Sequence, residues 1–142
     1  MKTLLLLFLV SIQFVGFGQT DEELVKQVVT SAYINGVQNG GPVADIRKGF
    51  HPSFNMLRFI DNDVKPLPIE EWITNMEKAR VQNNTPVGRA EGKFISVTVA
   101  GTSANVVLEL WRDGKRTFTD HLLLYKFAEG WRIVSKAYYR YP

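Results

Sequence analysis

The stretch "SANVVLELWRDGKRTFTDHLLLYKFAEGWRIVSKAYYRY", residues 103–141, decides the fold. It holds three runs rich in β-branched, aromatic and leucine residues, separated by Asp113-Gly114 and Glu129-Gly130, both turn-forming pairs. A fourth run, "EGKFISVTVA" at residues 91–100, precedes Gly101-Thr102. Four strands joined by short turns make an antiparallel meander. Their alternation is poor: Val106, Leu108 and Leu110 share one face, Val107, Glu109 and Trp111 the other, and Leu122 and Leu124 oppose Leu123, Tyr125 and Phe127. Both faces want cover. Three helices cover only one, so the other is expected to meet a second copy, giving a homodimer through the sheet. Helices that wrapped more of the sheet would leave a monomer instead.

Those helices lie upstream. Thr20 and Glu23 form a capping box, and Val25, Val28, Val29, Ala32 and Tyr33 follow at helical spacing until "QNGGP", residues 38–42, ends the helix. A short second helix is expected over about residues 43–50. A strand from near Phe54 to Ile60 ends at Asp61-Asn62-Asp63, and Pro68 opens a third helix whose stripe is Ile69, Trp72, Ile73, Met76 and Ala79. The expected class is α+β, in the order α-α-β-α-β-β-β-β.

The chain begins with Lys2, an unbroken apolar run from Leu4 to Val10, and Gly16 and Gly18 spaced like a signal-peptidase site. Residues 1–18 therefore read as a signal peptide and residues 19–142 as one domain, exported to the periplasm or secreted, with no lasting membrane anchor. There is no cysteine, which excludes a lipoprotein anchor, disulfides and thiol catalysis. The net charge is only +3, and the basic residues are scattered among acids, so nucleic acid is not an expected partner. Two histidines without metal-ligand spacing give no metal site, and "NGGP" lacks the lysine of a phosphate loop, so no cofactor is expected. Asn83-Asn84-Thr85 matches the glycosylation pattern only weakly.

The helix ending from Tyr33 to Gly40, "FHPSF" at residues 50–54, and "DHLLLYKFAEGWRIVSKAYY" at residues 120–139 together resemble the nuclear transport factor 2-like superfamily. The resemblance lies closest to its lumazine-binding and SnoaL-like branch of small exported bacterial proteins. It implies a curved sheet wrapped around helices as a cone, and it covers the whole mature chain. Against the steroid isomerases of that superfamily, Tyr33 falls at the oxyanion-stabilising tyrosine. Arg58 falls where the aspartate base belongs and Leu123 where the second acid belongs, so isomerisation by that mechanism is not expected.

If Leu123 points into the cone, His121, Tyr125 and Phe127 point the same way and Asp120 the opposite way, so Asp120 and His121 are not a catalytic pair. An inward His121 would be a ligand contact or an acid/base, or else a structural histidine at the sheet's rim. Glu109 would need a partner if buried, and Arg58 is the candidate, as a structural clasp or as polar recognition. His51 either lines the cavity or caps a helix end. Trp111 and Tyr139 are the aromatic residues expected at the pocket. The sequence thus points to a small-molecule-binding protein holding an apolar or aromatic ligand in the cone through Tyr33, Arg58, Glu109, Trp111, His121 and Tyr139. The alternatives are a lyase or isomerase using His121, and a dimeric interaction module with a filled cone.

Overall fold

The computed structural model describes residues 18–82 and 88–142. The apolar leader and the Asn83 glycosylation pattern lie outside them, apart from Gly18. Helix α1 (Asp21–Val28) opens on the expected box: Glu23 N donates to Thr20 Oγ1 at 3.3 Å, and Thr20 N donates to the Glu23 carboxylate at 2.9 Å. Without a break it widens into a π-helical segment, π1 (Val29–Gln38). This segment ends where Gly40 takes φ +73° and Gly41 N donates to the carbonyls of Asn35 and Gly36 at 2.9 and 3.0 Å. Helix α2 (Val43–Gly49) packs back on π1, and helix α3 (Ile69–Gln82) follows later.

The strands are β1 (Phe50–Ile60), β2 (Asp63–Pro68), β3 (Glu91–Ala100), β4 (Ser103–Arg112), β5 (Lys115–Phe127) and β6 (Gly130–Arg140). They form one open sheet in the order β2-β1-β6-β5-β4-β3. The four-stranded meander is present as expected, and β1 extends it by pairing parallel to β6. Strand β2 corrects the expected order, which ran from the first strand directly into the third helix. Its Pro66 and Pro68 argue against a strand, yet an edge strand tolerates missing N–H donors. The β1–β2 turn is held by Asp61 and Asn62 at φ 53° and 57°, the left-handed pair of a two-residue hairpin.

The helices cover the face carrying Ala104, Val106, Leu108, Leu110, Leu122, Leu124, Trp131 and Ile133, all buried. Leu123 and Tyr125 lie on the other face, about half exposed at 49% and 51%. This corrects the expectation that Leu123 points into the cone. With leucines on both faces of β5, alternation alone could not say which set meets the helices.

Close packing of α2 against π1 depends on Gly49, where a Cβ would stand 2.2 Å from the Cβ of Ala32. Neither atom can rotate away. Gly49→Ala is expected to cost about 1–3 kcal/mol through overpacking, read as a lowered urea midpoint with an unchanged denaturant slope.

Candidate functional site

At the centre of the helix-facing side, β5 and β6 bring two opposite charges together. Asp120 is fully buried and Lys136 is 3% exposed. Lys136 Nζ stands 2.8 Å from Asp120 Oδ1 as an ion pair, with no hydrogen bond of good geometry to that oxygen. The other carboxylate oxygen, Oδ2, accepts from Tyr33 Oη at 2.7 Å, and Gln38 Nε2 donates to the same hydroxyl at 3.1 Å. Tyr33 and Gln38 are five residues apart on π1, the spacing at which a π-helix aligns side chains on one face.

Local structure accounts for each placement. Asp120 shares a face with Leu122 and Leu124 by simple alternation. Lys136 does so only because the β5–β6 register slips between Leu123 and Leu124, so that Leu124 faces Ile133 while Leu123 faces Ser135. Without that bulge, counting by twos from Ile133 would turn Lys136 outward.

Rings surround the ammonium. Nζ lies 4.2 Å from the ring centroid of Tyr138, 5.3 Å from Tyr33, 5.8 Å from Trp72 and 5.9 Å from Phe118, with Met56 Sδ at 3.9 Å. Trp72 stacks in turn on Phe54, whose ring meets Phe50 edge-on at 4.8 Å. Aromatic faces carry negative quadrupole density, so this is a cation cage with a carboxylate at one side. Trp72, Met76, Phe118 and Tyr138 are half-buried and form its outer layer.

The electrostatics follow from burial. Desolvation holds the Lys136 amine below the ordinary 10.5, against the opposing pull of Asp120. Burial, then the Asp120 charge, pushes the Tyr33 phenol well above 10.0, so it remains a donor. Amine, carboxylate and phenol thus stand in contact in a water-poor setting, an arrangement able to move protons or to grip a polar group.

The expected site residues are distributed differently. Tyr33 is inside. His121 is exposed on the outer face, opposite Val107 and Ala137 across the neighbouring strands, so it does not enter the cone. Asp120 and His121 do occupy opposite faces, but it is Asp120 that points inward. Glu109 pairs with Arg116 at 2.6 Å and accepts from Trp111 Nε1 at 3.1 Å, all on the outer face. Arg58 bonds across its hairpin to the Lys65 carbonyl at 3.4 Å, so the Glu109–Arg58 clasp does not form. Tyr139 is 59% exposed and packs edge-on against Tyr141. His51 stacks on Phe127 at 4.6 Å. Among the described residues, no group of three His, Cys, Asp or Glu side chains is placed to hold a metal.

The comparisons with known proteins now have a geometry to attach to. Residues 20–139 match the family described as "Putative lumazine-binding". The chain belongs to that family. Its fold is similar to an NTF2-like protein of unknown function from Shewanella baltica, with TM-score 0.68, 21% identity, and 93% of this chain and 99% of that one covered. An NTF2-like protein from Cytophaga hutchinsonii gives 0.68 at 9% identity, covering 87% and 100%. A "putative ketosteroid isomerase" from Shewanella frigidimarina gives 0.58 at 16%, covering 82% and 94%. No curated protein matches the chain. At these identities the structures share the fold alone, the nuclear transport factor 2-like cone expected from the sequence.

Removing one charge strands the other. Asp120→Ala is expected to cost about 3–5 kcal/mol, whereas the double variant Asp120→Leu with Lys136→Met recovers most of the loss, a difference read from urea midpoints. Between the lowered Lys136 value and 10.5, the unfolded chain binds the extra proton, so the stability of the native pair rises with pH in that window. Midpoints measured from neutral pH toward 10.5 are therefore expected to rise for the wild type relative to the double variant.

Proposed function

We propose that the protein binds a small, flat heteroaromatic molecule in the cone, with its polar edge on Lys136, Asp120 and Tyr33 and its ring against Trp72, Phe118 and Tyr138. One observation carries this reading: a buried charge pair, costly to desolvate, sits beneath a layer of half-exposed aromatic rings. Stability alone is poorly served by such a pair. The family description names lumazine, a bicyclic ring with carbonyl and N–H edges, which fits donors and an acceptor set at the end of an aromatic slot. A lyase or isomerase reading would have to use Asp120, Lys136 and Tyr33, because His121 lies on the other side of the sheet.

The test is titration of lumazine against tryptophan fluorescence. Saturable quenching is expected, with affinity at least tenfold weaker in Lys136→Met and Tyr33→Phe. Absence of quenching in wild-type protein, together with wild-type stability in the Asp120→Leu and Lys136→Met double variant, would leave the cone as a filled structural core.

The outer sheet face supports the homodimer as part of this proposal. Phe59 at 75%, Tyr139 at 59%, Tyr125 and Leu123 leave apolar area without cover, and the sheet's other face is already packed. The leader sequence supports export, with a mature chain starting at Gln19. Native mass spectrometry of that mature chain is expected to show a dimer, and Leu123→Asp to shift it to monomer without changing lumazine affinity. A wild-type monomer at micromolar concentration would overturn the dimer.

A further inference from the structure

The cone-binding proposal leaves the chemistry of its floor unused. Lys136 is the buried lysine among the described residues; Lys48, Lys65, Lys78, Lys93, Lys115 and Lys126 are exposed. Its nitrogen touches a carboxylate at 2.8 Å, and the far oxygen of that carboxylate is held by a phenol at 2.7 Å. Nucleophile, proton acceptor and a group that orients the acceptor thus stand in sequence, each within hydrogen-bond reach. We propose that Lys136 captures an aromatic aldehyde or ketone as an imine at the floor of the cone. This deepens the cone-binding reading, since the same rings would seat the carbonyl compound.

The chemistry balances with the groups present. The ammonium passes a proton to Asp120, and the neutral amine attacks the carbonyl carbon to form a C–N bond. The Asp120 acid returns its proton to the carbonyl oxygen, giving a carbinolamine. The nitrogen lone pair then expels the hydroxyl, which leaves as water after taking the proton that the nitrogen loses through Asp120. The net change is ammonium plus carbonyl to protonated imine plus water, with Asp120 a carboxylate again. Burial favours the neutral amine that starts the sequence.

The cage suits the product as well as the reactant. An iminium carries the same single positive charge at the same nitrogen, so the carboxylate and the ring faces that hold the ammonium also hold the imine. Its charge is delocalised and its substituent flat, both better matched to aromatic walls than a compact ammonium is. The nitrogen lies one layer of half-buried rings from solvent, so movement of Trp72 or Tyr138 is enough to admit a small aromatic carbonyl.

The experiment is reductive trapping of the full mature chain with benzaldehyde and cyanoborohydride at near-neutral pH, where exposed lysines are protonated. Intact mass and peptide mapping are expected to show one benzyl group per chain, on Lys136, at a rate at least tenfold above any exposed lysine in the same molecule. Because the exposed lysines are an internal control, the wild type alone decides the matter. Lys136→Arg keeps the charge and is expected to abolish the fast label, and Asp120→Asn to slow it at least tenfold. Label spread evenly over exposed lysines, or identical in Lys136→Arg, would overturn the inference. Lumazine has no carbonyl that condenses with an amine, so its quenching of tryptophan reports the cone separately. Quenching without Lys136 labelling sinks the imine and leaves the cone reading; labelling without quenching does the reverse.

Discussion

Placing the Lys136 ammonium and the Asp120 carboxylate beneath the helices constrains everything around them. Two desolvated charges are tolerable only if they face each other and their remaining polar valences find partners. That requirement fixes the side-chain direction on β5, the bulge in the β5–β6 register, the placement of Tyr33 on the helix above, and the ring faces that close over the nitrogen. The apolar core continues on either side, with Leu108 and Leu122 flanking the pair across the strands. The polar cluster is therefore an island in a hydrophobic layer. Such an island adds little net stability, but it allows few rearrangements, because every alternative packing strands a charge.

The aromatic residues divide into two populations with different work. Phe50, Phe54 and Trp72 pack edge-on and face-on to build the cone's wall, with Phe50 and Phe54 fully buried. Tyr139, Tyr141 and Trp111 decorate the opposite face with Arg116 and Glu109, where Arg116 lies 4.1 Å over the Tyr141 ring. The first group sets what can approach Lys136. The second makes an outer surface part apolar and part charged, the mixed character that a self-associating surface needs to exclude other partners.

Much of the architecture was legible in the sequence because its signals were local. The capping box, the Gly-Gly-Pro stop and the hairpin turns each act within a few residues, and the meander follows from them. The site was less legible because its signals were not local. Asp120 could have been found by giving weight to its parity with Leu122 and Leu124. Lys136 could not, since the bulge that turns it inward has no mark in "RIVSKAYY". Tyr33 was found on helical phase and on the superfamily resemblance together. His121, Glu109, Trp111 and Tyr139 were assigned inward from one wrong choice of face. In a strand that error moves every residue at once.

The π-helical winding of Val29–Gln38 gives this chain an unusual sensitivity to length. A wide segment accommodates more residues per turn than an α-helix, so deleting one residue within it would let the helix relax to ordinary winding without losing its hydrogen bonds. Everything beyond the deletion would then turn by about 100° relative to the sheet. A deletion before Tyr33 would swing its hydroxyl away from Asp120, while a deletion after it would carry off Gln38 alone. The same helix thus has two zones in which one lost codon has unequal outcomes, the first removing a partner of the buried carboxylate and the second only trimming its support.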